Sequence, residues 1–153
     1  MEIKIRLGRV EDLPVLRQIL QSPGENVCPQ LVFSSSKDLE LADRLSSPRG
    51  RFFVLEVDTR LAGFAQLEQK DGRLWELCRL YVIPGCRGQG LGSRLLEKCR
   101  QILGQEGLLV VSVEKDNHRG LHFYLNHGFS YKDAAQNSNF FLLERNFRKL
   151  VET

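Results

Sequence analysis

The chain has 153 residues, enough for one domain around one core, so residues 1–153 are read as a single domain. Hydrophobic residues make up 42%, charged residues 27%, and the formal net charge is +3. No apolar run approaches the roughly 20 residues of a membrane span, and the small, scattered positive charge argues against a nucleic-acid surface. The start, Met1-Glu2-Ile3-Lys4-Ile5-Arg6, has no signal-peptide pattern, so the expected location is cytoplasmic.

Ile3, Ile5 and Leu7 alternate with charged residues, which predicts a first strand. Asp12 is placed to cap a helix with Pro14 in its first turn and Leu13, Leu16, Ile19 and Leu20 on its apolar face. Ser36 is placed to cap a second helix carrying Leu39, Leu41, Ala42 and Leu45. Three strands follow, Phe52 to Val57, Leu61 to Lys70 and Leu74 to Val82, with Asp71-Gly72 as a hairpin signal. Leu91, Leu95, Leu96, Cys99, Ile102 and Leu103 recur at helical spacing. Leu108 to Val113 is an apolar run broken only by Ser112, typical of a buried central strand. Asp116 or Asn117 caps a further helix that ends at Gly128, and Phe129 to Lys132 and Phe140 to Arg145 read as the last strands. The sum is an α/β (α+β) domain with a mixed sheet.

Between strand and helix lies Arg87-Gly88-Gln89-Gly90-Leu91-Gly92. Glycines let a backbone turn tightly and approach a ligand, and the first amides of a helix have no internal acceptor. Such a loop can cradle a pyrophosphate, or it can be a plain connection. A P-loop is excluded because no Lys-Ser or Lys-Thr follows the glycines. The dinucleotide fingerprint is excluded by the alternating spacing at 88, 90 and 92. Arg87, Arg94, Lys98 and Arg100 cluster here, which suits a small polyanion, although Lys98 and Arg100 also fit a solvated helix face.

Cys28, Cys78, Cys86 and Cys99 form no C-x-x-C pair, so free thiols are expected rather than a disulfide or zinc site. Cys86 stands beside Arg87, a setting that can activate a thiol, but no catalytic role is assigned to it. His118 and His122 are four apart without the H-E-x-x-H pattern, so they are expected to be surface residues and no metal is expected.

Leu80-Tyr81-Val82-Ile83-Pro84 followed by the glycine loop, Asn117 with Phe123-Tyr124, and Gly128-Phe129 together resemble the GNAT superfamily of acetyl-coenzyme A-dependent N-acetyltransferases. The resemblance runs from about Ile3 to about Arg145. It implies a mixed, mostly antiparallel central sheet of six to seven strands, flanked by about four helices and splayed into a cleft between its two central strands. It implies acetyl-coenzyme A as cosubstrate. The backbone amides of Gly88, Gln89, Gly90, Leu91, Gly92 and Ser93, with Arg87 opening the motif, would hold the pyrophosphate. Leu80, Tyr81 and Val82 would pair with the pantetheine arm as a strand does, and Asn117 would bond that arm or cap its helix. The Val82 N–H would meet the thioester carbonyl.

The implied reaction is direct attack of an amine on the thioester. A lysine-like amine has a pKa near about 10.4, so deprotonating it at neutral pH costs roughly 4.6 kcal/mol. Tyr124 is the candidate acid for the leaving thiolate, against a role in packing with Leu121 and Leu125. Glu76 is the candidate base, placed by alternation on the face of Cys78, Leu80 and Val82; Glu114 and Glu144 are weaker choices. The subgroup that acetylates ribosomal-protein N-termini carries a base glutamate five positions before the asparagine. That position is Ser112 here, which argues against that subgroup's mechanism. The expected activity is acetylation of a small-molecule amine. The alternatives are a protein or peptide acceptor, which residues 25–35 and 133–139 would separate from a small amine, and a non-catalytic coenzyme A-binding module. Many members are dimers, so a homodimer is compatible with the resemblance.

Overall fold

A computed structural model describes residues 1–20, 49–104, 107–132 and 139–147. The second expected helix, Cys28 and the stretch 25–35 lie outside the described residues, as do all but the last residue of 133–139. The described strands are β1 (Ile3–Leu7), β2 (Gly50–Val57), β3 (Arg60–Gln69), β4 (Leu74–Val82), β5 (Leu108–Glu114), β6 (Ser130–Tyr131) and β7 (Phe140–Asn146). The described α-helices are α1 (Leu13–Leu20), α2 (Leu91–Leu103) and α3 (His118–Asn126). No helix among these residues is long and apolar enough to cross a membrane.

The seven strands form one sheet in the order β1-β2-β3-β4-β5-β7-β6. Every neighbouring pair is antiparallel except β4 and β5. That parallel pair holds only at Leu74–Leu108, Trp75–Leu109 and Glu76–Val110. Beyond Glu76 the two strands carry no register pairs, so the sheet splays at its centre as expected.

Each face of the sheet buries its own core. α1 lays Leu16 and Ile19 on Phe52, Val54, Phe64 and Tyr81. On the opposite face α2 lays Leu91, Leu95, Leu96 and Cys99, and α3 lays Tyr124, over Phe53, Leu67, Leu77 and Leu109. Leu91, Leu95, Leu96 and Cys99 are therefore the buried stripe that the helical spacing predicts, with Leu103 partly buried against it, whereas Ile102 is exposed. Truncating the fully buried Leu95 to Ala removes about 2–5 kcal/mol of stability.

Two expectations change. β4 contains a bulge: Gln66 faces Arg79 and Leu67 faces Leu77, so Cys78 is the extra residue. Trp75 and Leu77 join the α2 core before the bulge, whereas Leu80 and Val82 join it after. Glu76 therefore does not share a face with Leu80 and Val82; the bulge inverts the alternation and turns Glu76 to the α1 face. Asp12 does not cap α1. It ends a 3-10 turn (Val10–Asp12), and its carboxylate accepts from the Arg9 N–H at 2.7 Å and from Arg6 at 2.9 and 2.8 Å. A bidentate guanidinium is the stronger partner and claims both oxygens.

Candidate active site

The glycine loop adopts the backbone its sequence requires. Gly88 and Gly90 have φ of +81° and +75°, a region that L side chains enter at a cost. Gly90 is the N-cap of α2 and has no side chain to satisfy the amides beyond it. The first helical bond runs from the Arg94 N–H to the Gly90 carbonyl at 3.2 Å. The amides of Leu91, Gly92 and Ser93 precede it and have no helical acceptor, so they carry the positive end of the helix dipole.

Gly92 serves closeness instead. A Cβ there would stand 3.3 Å from Cε1 of Phe123. The Phe123 ring thus packs under the first turn of α2 and ties α3 to the loop. It meets Tyr124 edge-on at 5.3 Å and stacks on His127 at 4.2 Å. Tyr124 is buried, with Phe129 edge-on at 5.2 Å on its other side. The chain therefore brings Tyr124 to within one ring of the loop from 32 residues away in sequence.

Ser93 is bonded across the same junction. Its Oγ lies 2.7 Å from Nε2 of His127, and Nδ1 of His127 lies 2.6 Å from the Phe123 carbonyl oxygen. Sequence reasoning missed His127 as well as the packing role of Phe123. The only signal was position, three residues after Tyr124 and just before Gly128-Phe129.

The end of β4 has a defined orientation. The Ile83 N–H donates to Ala62 on β3 at 2.8 Å. Peptide groups alternate along a strand, so Val82 and Leu80 turn theirs to the splayed side. The Arg87 Nε–H donates to the Val82 carbonyl at 2.8 Å, and the guanidinium lies 5.4 Å from the Tyr81 ring. The Arg87 side chain is thus directed back onto β4. Tyr81 is buried on the α1 face and, by the same alternation, turns its peptide groups to Phe64 on β3, so the expected pairing of Tyr81 with the pantetheine arm falls to its neighbours Leu80 and Val82.

Asn117 is the cap of α3; its Oδ1 accepts from the Gly120 N–H at 3.0 Å. That bond uses the oxygen and leaves the amide nitrogen as the group of Asn117 able to donate. Ser112 is exposed between the buried Val111 and Val113.

Glu76 is the last residue of β4 paired to β5, so it stands where the splay begins. Its Oε1 lies 3.3 Å from Lys70 Nζ and 3.6 Å from Cys78 Sγ. Glu68, opposite Glu76 on β3, reaches the same ammonium at 3.6 Å. Among the described residues Glu68, Glu76 and Cys78 are the one group whose metal-type donor atoms lie within 4.8 Å of one another. Lys70 already supplies a cation there. His118 and His122 are both exposed and stand outside this group.

The thiols differ sharply. Cys99 is buried under α2, and burial pushes its pKa up to about 12. Cys78 and Cys86 are half-buried, and all three are free.

Comparison with known proteins agrees with this arrangement. Residues 14–129 match the family model described as the acetyltransferase (GNAT) family. The chain is 30% identical over 112 residues to an uncharacterized N-acetyltransferase of Mycobacterium tuberculosis, covering 68% of this chain and 72% of that protein. It is 29% identical over 162 aligned positions to the spermidine N(1)-acetyltransferase of Thermoplasma acidophilum, covering 96% and 99% of the two chains. The fold matches the crystal structure of the PaiA N-acetyltransferase of Thermoplasma acidophilum in complex with coenzyme A, with a TM-score of 0.81, 23% identity and 95% and 99% coverage. A sheet splayed after three register pairs, a glycine loop opening α2 and a match over most of its length make this chain a member of the GNAT family, an acetyl-coenzyme A-dependent N-acetyltransferase.

Proposed function

We propose that the chain transfers the acetyl group of acetyl-coenzyme A to a primary amine of a small, cationic molecule by direct attack. The carboxylate pair at the start of the splay carries this reading. Glu68 and Glu76 hold the Lys70 ammonium at 3.6 and 3.3 Å, so this corner is built to hold an alkylammonium group. A relative named for spermidine aligns along 96% of the chain, which supports the same substrate class.

The predicted residues other than Tyr81 then have tasks. The amides of Gly88 to Ser93 hold the pyrophosphate, and the peptide groups of Leu80 and Val82 pair with the pantetheine arm, joined by the Asn117 amide. Arg87, bonded back to the Val82 carbonyl, fixes the entry to the loop. The Val82 N–H stabilises charge developing on the thioester oxygen. Glu76, directly or through water, takes a proton from the ammonium, offsetting part of the roughly 4.6 kcal/mol needed to bare the amine at neutral pH. Tyr124 donates to the departing thiolate.

The test is coenzyme A release from acetyl-coenzyme A against separate pools of polyamines, amino acids, aminoglycosides and short peptides. Release with a small-amine pool is the expected outcome. Release with peptides alone would replace this reading with a protein acceptor. Binding of acetyl-coenzyme A without release in any pool would favour the non-catalytic module.

A further inference from the structure

The hydrogen-bond chain Phe123–His127–Ser93 has a direction that chemistry fixes. A backbone carbonyl only accepts, so Nδ1 of His127, 2.6 Å from the Phe123 oxygen, carries a proton in every state. Nε2 is then the nitrogen that titrates. In the neutral ring it is a bare acceptor, and Ser93, 2.7 Å away, donates its hydroxyl proton to it. The Oγ atom then presents only lone pairs to the loop. In the protonated ring Nε2–H donates to Oγ instead, and the Ser93 O–H is released to donate elsewhere. Ser93 lies in the first turn of α2, beside the amides that have no helical acceptor.

We infer that His127 is a positioning residue of the pyrophosphate cradle: protonation of His127 turns the Ser93 hydroxyl into a donor, so the cradle binds its anion more tightly in acid. This rests on the cradle reading above. The proton balance is up to one proton taken up at Nε2 per anion bound, and only between the free-state and bound-state titrations. By reciprocity the anion holds that proton on the ring. The extra affinity is complete below the free-state titration of His127 and is lost as pH rises through the bound-state titration.

Other charges reach this junction. Arg94, Glu97 and Lys98 of α2 line one groove with Ser93. Arg145 of β7 places Nε 3.2 Å from where a Cβ on Gly128 would stand. These four stay unchanged in the variants below, so their effect cancels in the comparison.

Dephospho-coenzyme A is the probe, because its pyrophosphate keeps its charge through the histidine range and the ligand does not titrate. Its dissociation constant is measured by calorimetry from roughly pH 5.5 to 8.5, spanning the usual histidine value of about 6.5. The wild-type chain is expected to lose at least about fivefold in affinity across this range. His127→Phe keeps a ring on Phe123 but removes Nε2, and its affinity is expected to be flat. Ser93→Ala is expected to flatten the profile as well. As a check that needs no variant, the ring-proton titration of His127 followed by NMR is expected to move to higher pH when the probe binds. A wild-type slope that persists in His127→Phe, or a ring titration that ligand leaves in place, overturns the inference. Binding with no slope overturns it while sparing the cradle. No binding at any pH overturns both.

Discussion

Arg6 grips Asp12 with hydrogen bonds of 2.9 and 2.8 Å and Glu56 with a third of 3.0 Å, and the three side chains are 10–19% exposed. Across the sheet Lys70 meets Glu68 and Glu76 at 3.6 and 3.3 Å, with its side chain 43% exposed. Both are one cation with two carboxylates. The first is planar, bidentate and dry, and it fastens β1, β2 and the 3-10 turn together. The second is a point charge on a flexible stem, half in water, and another ammonium can exchange with it. The Arg6 bonds hold the Asp12 carboxyl below its ordinary value, against the opposing effect of burial. The difference separates a structural pair from one that, on the proposed function, an acceptor ammonium would enter.

That contrast has measurable edges. The largest effect is expected at the dry pair. Asp12→Ala leaves the Arg6 guanidinium short of its main partner and should lower unfolding stability by about 3 kcal/mol in urea titration. Its sign with pH follows from the lowered folded-state pKa. The contribution of Asp12 is complete above the unfolded value of about 3.9 and disappears as pH falls through the lower folded value. The gap between wild type and variant should therefore narrow only in acid.

At the side chains of the site, activity should fall while stability holds; only the loop glycine should cost both. Tyr124→Phe keeps the edge-on packing with Phe123 and Phe129 and should reduce kcat about 100-fold, or roughly 2.7 kcal/mol, if Tyr124 supplies the proton. An unchanged kcat would return Tyr124 to the core. Gly90→Ala forces a side chain to φ +75° and should cost about 1–2 kcal/mol, with weakened acetyl-coenzyme A binding by calorimetry. Glu76→Gln should flatten the pH–rate profile and slow turnover about tenfold, below the usual range for general catalysis because water can partly substitute. The smallest effect belongs to the open pair. Lys70→Gln should change stability by less than about 0.5 kcal/mol while lowering KM for a cationic amine. A destabilised Lys70→Gln protein would make this pair structural too.

Much of the fold was legible because it rests on local signals. Asp71-Gly72 marks the β3–β4 turn, the stripe from Leu91 to Leu103 marks α2, and the alternating glycines mark its entry. What escaped depended on geometry that sequence does not print. The bulge at Cys78 has no glycine or proline to announce it, so period-two alternation put Glu76 on the wrong face. Asp12 looked like a cap because capping is local, but Arg6 outcompeted the helix for its oxygens. His127 was invisible because its partner Ser93 is 34 residues earlier.

The short β4–β5 pairing also makes the sheet a hinged object. Four strands stand on one side of it and three on the other, joined within the sheet by Leu74–Leu108, Trp75–Leu109 and Glu76–Val110. This seam is where few ladder bonds resist opening, so amide exchange at Leu80 and Val82 should be fast in the free protein. A pantetheine arm lying in the gap would act as an eighth strand in all but side chains, and the cosubstrate would then be a mechanical brace as well as an acyl donor.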